Sequence, residues 1–235
     1  MDKNIYGLYF ICCINNYLEV VEEQLYILSQ GLLNLTKKLI LFITLYDNNN
    51  LKLNELINKF NKDNKFIFVT TEDNLYEKFA INNYKKYIDD DDYYIYYFHT
   101  KGLKLYNDPL INVFTSRRRL LNYYTLEKFN VNLKLLEDYD AVGCSLSLYP
   151  KKHFSGNFWW SKSSYLIKLT DINENYLSPE MYILSDDNCK FISLANDTNN
   201  IMFENYNFKD ENEILNNITT ELIVLESHKD LIIYC

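Results

Sequence analysis

Apolar runs of strand length alternate with segments of helical periodicity from the start of this chain, and that order leaves few architectures open. Residues 5–11 form a continuous apolar run with aromatics, interrupted only by Gly7, as expected for a buried strand. Leu18, Val21, Leu25 and Leu28 then fall at helical spacing, with Gly31 placed to end the helix. Residues 39–45 and 66–69 predict two more strands around a helix over 51–60. A third helix over 72–87 puts Leu75, Phe79, Tyr84 and Tyr87 on its inner side, and a fourth strand over 93–98 leads directly to His99. Strands that alternate with helices imply right-handed crossovers and a mixed, mostly parallel α/β sheet flanked by helices.

The second half changes character. The periodicity predicts a helix over 110–136, broken near Phe129 and containing Arg117, Arg118 and Arg119. Strands over 140–146 and 158–160 and a helix over 162–169 follow, and from Asn173 polar stretches alternate with short apolar runs at 189–194 and 222–225. With 235 residues and 48% hydrophobic content the chain has apolar surface for one sizeable core. We expect one domain over 1–235: a nucleotide-binding half over 1–102, an acceptor half over 103–205 and an extension over 206–235.

Charge and cysteine usage narrow the setting. The balance of 24 Lys+Arg against 32 Asp+Glu gives a net charge of −8, which does not suit a nucleic-acid partner. The first residues carry no basic leader pattern, and no run is long enough to span a bilayer. Cys12, Cys13, Cys144, Cys189 and Cys235 are odd in number and lack metal spacing, as expected for reduced thiols in a cytoplasmic protein. The Asn-x-Thr sequences at Asn34, Asn196 and Asn217 then read as accidents of an Asn-rich composition.

Glycine and histidine are scarce: 5 and 3 residues in 235. Two of the three histidines nevertheless stand three residues before a glycine, in His99-Thr100-Lys101-Gly102 and His153-Phe154-Ser155-Gly156; the third is His228. At this composition the coincidence is roughly one in a thousand. The first segment lies at the carboxyl end of a predicted strand, where open parallel sheets bind ligands. Its lysine, hydroxyl and glycine suit a phosphate or diphosphate, and Arg118 offers a planar bidentate donor. The second segment runs into Asn157, Phe158, Trp159 and Trp160, both tryptophans of the chain. Adjacent strand residues face opposite ways, so one indole is expected in the core and the other in a cleft, where it could stack on a sugar. Both could equally be core. The run Asp89-Asp90-Asp91-Asp92 precedes the fourth strand and is expected to be a solvated turn, not a metal site. Glu180, after Ser178 and Pro179, is the better candidate acid or base, with Asp186 and Asp187 as rivals.

These segments in this order, together with Arg118-x-x-Leu121-x-Tyr123-Tyr124 and Tyr139-Asp140-Ala141-Val142-Gly143, resemble small GT-A-fold glycosyltransferase-like proteins of bacteria and large DNA viruses, including the N-terminal domain of a chlorella-virus glycosyltransferase. The resemblance covers about residues 4–205 and is most specific at 153–160. It implies a nucleotide-sugar donor, a glycan acceptor, and a cytoplasmic or virion setting. It also implies that His99–Gly102 occupies the place of the metal-binding Asp-x-Asp, that Gly156-Asn157 belongs to the acceptor loop, and that Glu180 is the acid following it. The Asp-x-Asp is absent, which puts Mn2+ or Mg2+ dependence in question, and Ala195 stands where relatives carry histidine.

The resulting expectation is a glycosyltransferase that moves a hexosyl or deoxyhexosyl group from a nucleotide diphosphate to a hydroxyl. Cys13 and Asn15 would border the base. His99, Thr100, Lys101, Gly102 and Arg118 would hold the donor, and His153, Ser155, Gly156, Asn157, Trp159 and Trp160 the acceptor. Glu180 would be catalytic. A non-catalytic nucleotide- or sugar-binding protein, or an interaction protein with an aromatic surface, are the alternatives.

Overall fold

A computed structural model describes residues 3–45, 50–73, 76–105, 107–172, 177–195 and 210–215. The predicted Leu75, the apolar run at 222–225, Asn196, Asn217, His228, Cys235 and the extension over 206–235 apart from 210–215 lie outside the described residues. The order is β1 (Asn4–Cys12), α1 (Tyr17–Ser29), α2 (Leu32–Leu35), β2 (Thr36–Thr44), α3 (Asn50–Phe60), β3 (Phe66–Thr71), α4 (Lys78–Asn83) and β4 (Tyr93–His99). Then come α5 (Ile111–Asn122), α6 (Phe129–Leu135), β5 (Ala141–Gly143), β6 (Leu146–Ser147), β7 (His153–Phe154), β8 (Trp159–Lys162), α7 (Ser163–Leu166), α8 (Ser178–Tyr182) and β9 (Phe191–Ser193).

Seven strands form one sheet in the order β3-β2-β1-β4-β8-β5-β9, and β6 and β7 make a separate two-stranded ribbon. β1 pairs parallel with both β2 and β4, so the chain steps outward to β3 and then returns to the other side of β1. That reversal makes the carboxyl ends of β1 and β4 the topological switch point, where adjacent crossovers diverge and leave a crevice. β8 runs antiparallel to β4 and β5, which makes the sheet mixed.

The apolar runs are continuous because both faces of the sheet are covered. Tyr9, Ile11, Leu41, Phe98 and Trp160 pack on one side with Val21, Leu25 and Leu121. Tyr6, Leu8, Phe42, Tyr97 and Trp159 pack on the other with Ile81, Tyr165 and Ile183. Trp159 and Trp160 do face opposite ways, but each is fully buried. The expectation that one indole opens onto a cleft is therefore corrected: a sheet covered on both sides leaves no exposed face for it.

Several boundaries differ for local reasons. Gly31 does not end α1; Gln30 caps it, and Gly31, with extended backbone, starts α2. The helix expected over 72–87 is shorter, α4 followed by a 3-10 turn at Tyr84–Tyr87. The long helix expected over 110–136 is broken by a π turn at Tyr123–Glu127 and ends its first part before Lys128, one residue ahead of the break expected at Phe129. The strand expected over 140–146 splits into β5 and β6, because Ser145 takes a left-handed conformation at φ 59°.

Gly7 lies between two neighbours that use its missing side chain. A Cβ there would sit 2.5 Å from Leu39 Cδ1 and from the Tyr96 phenol, whose hydroxyl pairs with Thr36 in the core. Gly7→Ala should destabilise the protein by about 1–3 kcal/mol through overpacking. A lowered urea midpoint at unchanged slope would show it; an unchanged midpoint would mean the core yields there.

Candidate functional site

The switch-point crevice is a cavity of about 330 Å³. Phe10 and Cys12 reach it from β1, His99, Thr100 and Lys101 from the end of β4, Tyr76 and Glu77 from the turn before α4, and Pro179 and Glu180 from α8. The alternation of side chains along the end of β1 puts Cys12 in the cavity wall and Cys13 in the core. Cys13 is thus corrected from a base-bordering residue to a core residue. Asn15 is exposed at φ 51° and donates to the Leu103 carbonyl at 3.4 Å, tying the two loops together.

The two His-x-x-Gly segments meet. His99 Nε2 lies 2.9 Å from the Gly156 carbonyl oxygen, and Nδ1 lies 3.4 Å from Glu77 Oε1. Burial pushes the His99 pKa below its ordinary value; Glu77 opposes that shift and Lys101 adds to it. Thr100 lends its hydroxyl to the Cys12 N–H at 3.0 Å, and its own N–H donates to Phe10, which locks β4 to β1 at the cavity floor. Gly102 turns the chain away at φ +73° against Phe114, where a Cβ would lie 3.0 Å from backbone oxygen.

Opposite, Gly156 at φ +98° and Asn157 at φ 56° make a tight turn under Leu121. The Gly156 N–H donates to Glu180 Oε1 at 3.3 Å, and Lys101 Nζ lies 3.9 Å from the same oxygen. Asn157 is fully buried: its amide donates to Glu77 and its Oδ1 accepts from Trp159 Nε1 at 3.0 Å. Ser155 is half-buried, its N–H bonded to Ser145 and its carbonyl facing Arg117. His153 stands apart in the ribbon, with Nδ1 2.8 Å from the Lys151 carbonyl, and does not line the cavity. Asp186 caps the turn before Cys189 and Asp187 pairs with Lys152, so neither competes with Glu180 for the cavity.

Arg118 also needs correction. Its guanidinium is buried, donates to Glu23 Oε2 at 2.8 Å and to the Lys101 carbonyl at 3.3 Å, and lies behind the loop, outside the cavity. It belongs to a buried network in which Tyr9 donates to Gln24 Oε1, and Gln24 Nε2 donates to the His99 carbonyl and to Asn122. Asn122 in turn donates to Glu23. Arg118 is a positioning residue for Lys101. Glu77 and Gln24 were missed in the sequence because neither lies in a motif; only folding shows them touching His99.

The acidic turn at residues 89–92 sits at the opposite end of the sheet. Asp89 and Asp90 accept from Tyr6 and pair with Lys37 and Lys38. The hydrogen bonds from Tyr6 and Lys38 hold the Asp89 carboxyl down at about 2. In the cavity, a divalent cation does not fit His99, Thr100 and Lys101 at the end of β4. Both His99 nitrogens face oxygen acceptors, the Thr100 hydroxyl is engaged, and Lys101 is itself a cation. Among the described residues no cluster of three or more His, Cys, Asp or Glu could hold a metal. Among them, too, no helix is long and apolar enough to cross a membrane.

A crevice at the switch point of a seven-stranded mixed sheet, with one antiparallel strand beside β4, defines a GT-A-like fold. The chain superposes on a 4-diphosphocytidyl-2C-methyl-D-erythritol synthase from Anaerococcus prevotii with a TM-score of 0.52 and 11% identity, over 93% of this chain and 99% of that one. It also superposes on the mannosyltransferase PcManGT from Pyrobaculum calidifontis, solved with GDP-Man and Mn2+, with a TM-score of 0.54 and 11% identity. That match covers 82% of this chain and 55% of the mannosyltransferase, so this chain spans about half its length. No curated protein matches the sequence. Residues 12–215 match the model of a domain of unknown function, DUF8361, and the chain belongs to that family.

Two outcomes follow. An unfolded histidine titrates near 6.5, whereas buried His99 resists protonation. The unfolded state therefore binds more protons as pH falls below about 6.5, and stability should drop from pH 7 to pH 5. Urea midpoints measure this, and His99→Gln should flatten the slope. Arg118→Ala should cost about 3 kcal/mol, because it takes the guanidinium from Glu23, leaving that carboxylate only the Asn122 amide, and removes the donor to the Lys101 carbonyl. A melting temperature equal to the wild type would contradict that role.

Proposed function

We propose that this protein transfers a glycosyl group from a nucleotide diphosphate sugar to a hydroxyl of a glycan acceptor. The observation that carries the reading is the pairing of Lys101 with Glu180 across the switch-point cavity, 3.9 Å apart. Lys101 and Glu180 thus share one cleft of a GT-A-like fold, which supports the roles of cation for a leaving diphosphate and base for an acceptor proton. The solved mannosyltransferase of similar fold is described with GDP-Man, which supports this donor class.

In an inverting course the acceptor oxygen attacks the anomeric carbon as the bond to the diphosphate breaks, and the hydroxyl proton passes to Glu180. Lys101 meets the negative charge that grows on the departing diphosphate. Thr100 and Gly102 shape the loop that presents Lys101, and Arg118 and Gln24 brace it from behind. Phe10, Cys12 and Ile14, with Asn15 beyond them, are assigned to the nucleotide side of the cavity, and the Gly156-Asn157 turn, which lies behind the lining and bonds to Glu180 and Glu77, to the acceptor side. Both indoles are buried, and among the described residues Tyr76 is an exposed aromatic that lines the cavity, held at φ 50°. That backbone conformation is unusual for an aromatic residue. It makes Tyr76 the better candidate for stacking on a sugar. The division into a nucleotide half over 1–102 and an acceptor half over 103–205 belongs to the same proposal, as do the cytoplasmic setting and the kinship with viral and bacterial proteins.

A second reading, a nucleotide- or sugar-binding protein without turnover, is favoured by one observation: the loop that replaces Asp-x-Asp holds no cation site. Lys101→Ala should abolish donor turnover with the melting temperature kept. Glu180→Gln should lower kcat by roughly 10²–10⁴ while donor affinity persists. Wild-type activity in Lys101→Ala would remove the assignment. Binding without hydrolysis or transfer across a panel of nucleotide sugars, with and without Mn2+, would establish the second reading instead.

A further inference from the structure

The His99 ring is held between two acceptors. Its Nε2 faces the Gly156 carbonyl at 2.9 Å and its Nδ1 faces Glu77 Oε1 at 3.4 Å. A neutral imidazole carries one N–H and can donate to only one of them; an imidazolium donates to both. Glu77 also accepts from the Tyr97 hydroxyl at 3.0 Å and from the Asn157 side-chain amide. Tyr97 is buried and its pKa is pushed far up, so it keeps its proton and donates. Gly156 is gripped a second time through its N–H by Glu180. One carboxylate and one imidazole, both lining the cleft, thus hold both residues of a left-handed turn packed behind its wall.

We infer that Glu77 is a positioning residue of this cleft, and that it fixes the Gly156-Asn157 turn through its bond to Asn157 and through one proton carried between itself and the His99 ring. With that proton on Nδ1 as well as one on Nε2, the ring bridges Glu77 and Gly156 and the turn is clamped. Without it, one of the two ring contacts has no hydrogen, and the turn loses the bridge through the ring while keeping its bonds to Glu180 and, through Asn157, to Glu77. The charged and titratable groups around the ring are Glu77 before α4, Lys101 beyond β4, Glu180 on α8 and Tyr97 on β4. Phe158 packs edge-on at 5.1 Å and keeps water from that side. Lys101 and the burial disfavour the second proton, while Glu77 and Glu180 favour it. Removing the Glu77 charge should therefore lower the pH at which the clamp closes. The inference rests on the cleft being the working site, as proposed above, yet its readouts come from the ligand-free protein, so the two can fail separately.

The experiment is a pH titration of the His99 ring nitrogens by NMR, with amide exchange at Gly156 and Asn157, in the wild type and in Glu77→Gln. The expected wild-type result is exchange through local opening of the turn, with the ring still buried, that slows roughly tenfold at these two amides, after correction for the intrinsic rate, as the ring takes its second proton, even as global stability falls. In Glu77→Gln the ring should titrate at lower pH and the slowing should move with it. A ring titration identical in the two proteins, or exchange in the wild type that ignores the ring's protonation, would overturn the inference. Should Glu77→Gln fail to fold, His99→Gln offers an N–H donor to Gly156 that cannot titrate. Exchange at Gly156 independent of pH in that variant supports the clamp; a retained pH dependence contradicts it.

Discussion

The carboxyl end of β4 is held by a buried chain of hydrogen bonds, and the candidate site depends on it. Gln24 donates to the His99 carbonyl, Arg118 to the Lys101 carbonyl, and Glu23, Asn122 and Tyr9 complete the network. Each bond adds little net stability, roughly 1 kcal/mol, but leaving any buried member unpaired costs more than that. A connected network of this kind is therefore close to all-or-none. It fixes backbone, not side chains, which is what a loop presenting a cation into a cavity requires.

The mixed sheet adds a second constraint. Because β8 runs antiparallel beside β4, the segment that enters it arrives at the same end of the sheet at which β4 finishes. Gly156 and Asn157 are thereby brought to His99 across 57 residues of chain. Tight turns at positive φ at Asn15, Gly102, Gly156 and Asn157 gather around the cavity, where chain direction must change sharply within few residues.

The first four strands and the helices between them were legible because their periodicity is strong and β1, β2 and β4 are covered on both faces, while the edge strand β3 is exposed in part. The two His-x-x-Gly segments were legible through sheer scarcity of their residues. The tryptophan segment misled, since alternation predicts which way an indole points but not whether another layer covers it. Arg118 misled for the opposite reason: a charge on a helix gives no sign in sequence that Glu23, 95 residues away, will neutralise it. Glu77 was invisible because its neighbours Tyr97, His99 and Asn157 come from separate parts of the chain. Periodicity is a local signal, whereas a site is a long-range one.

The arginine triplet shows what this means for mutational tolerance. Successive residues on a helix are about 100° apart, so three identical neighbours cannot substitute for one another. Arg117 reaches the Ser155 carbonyl, Arg118 spans Glu23 and Lys101, and Arg119 borders a surface hollow with Glu23, Ile27 and Glu127. A stretch that looks redundant on paper meets three different surroundings, and two of its members hold separate seams. Among random variants, the middle position should be the least forgiving of the three, and lysine, which cannot bridge two acceptors with a rigid planar fork, should be a poor replacement there.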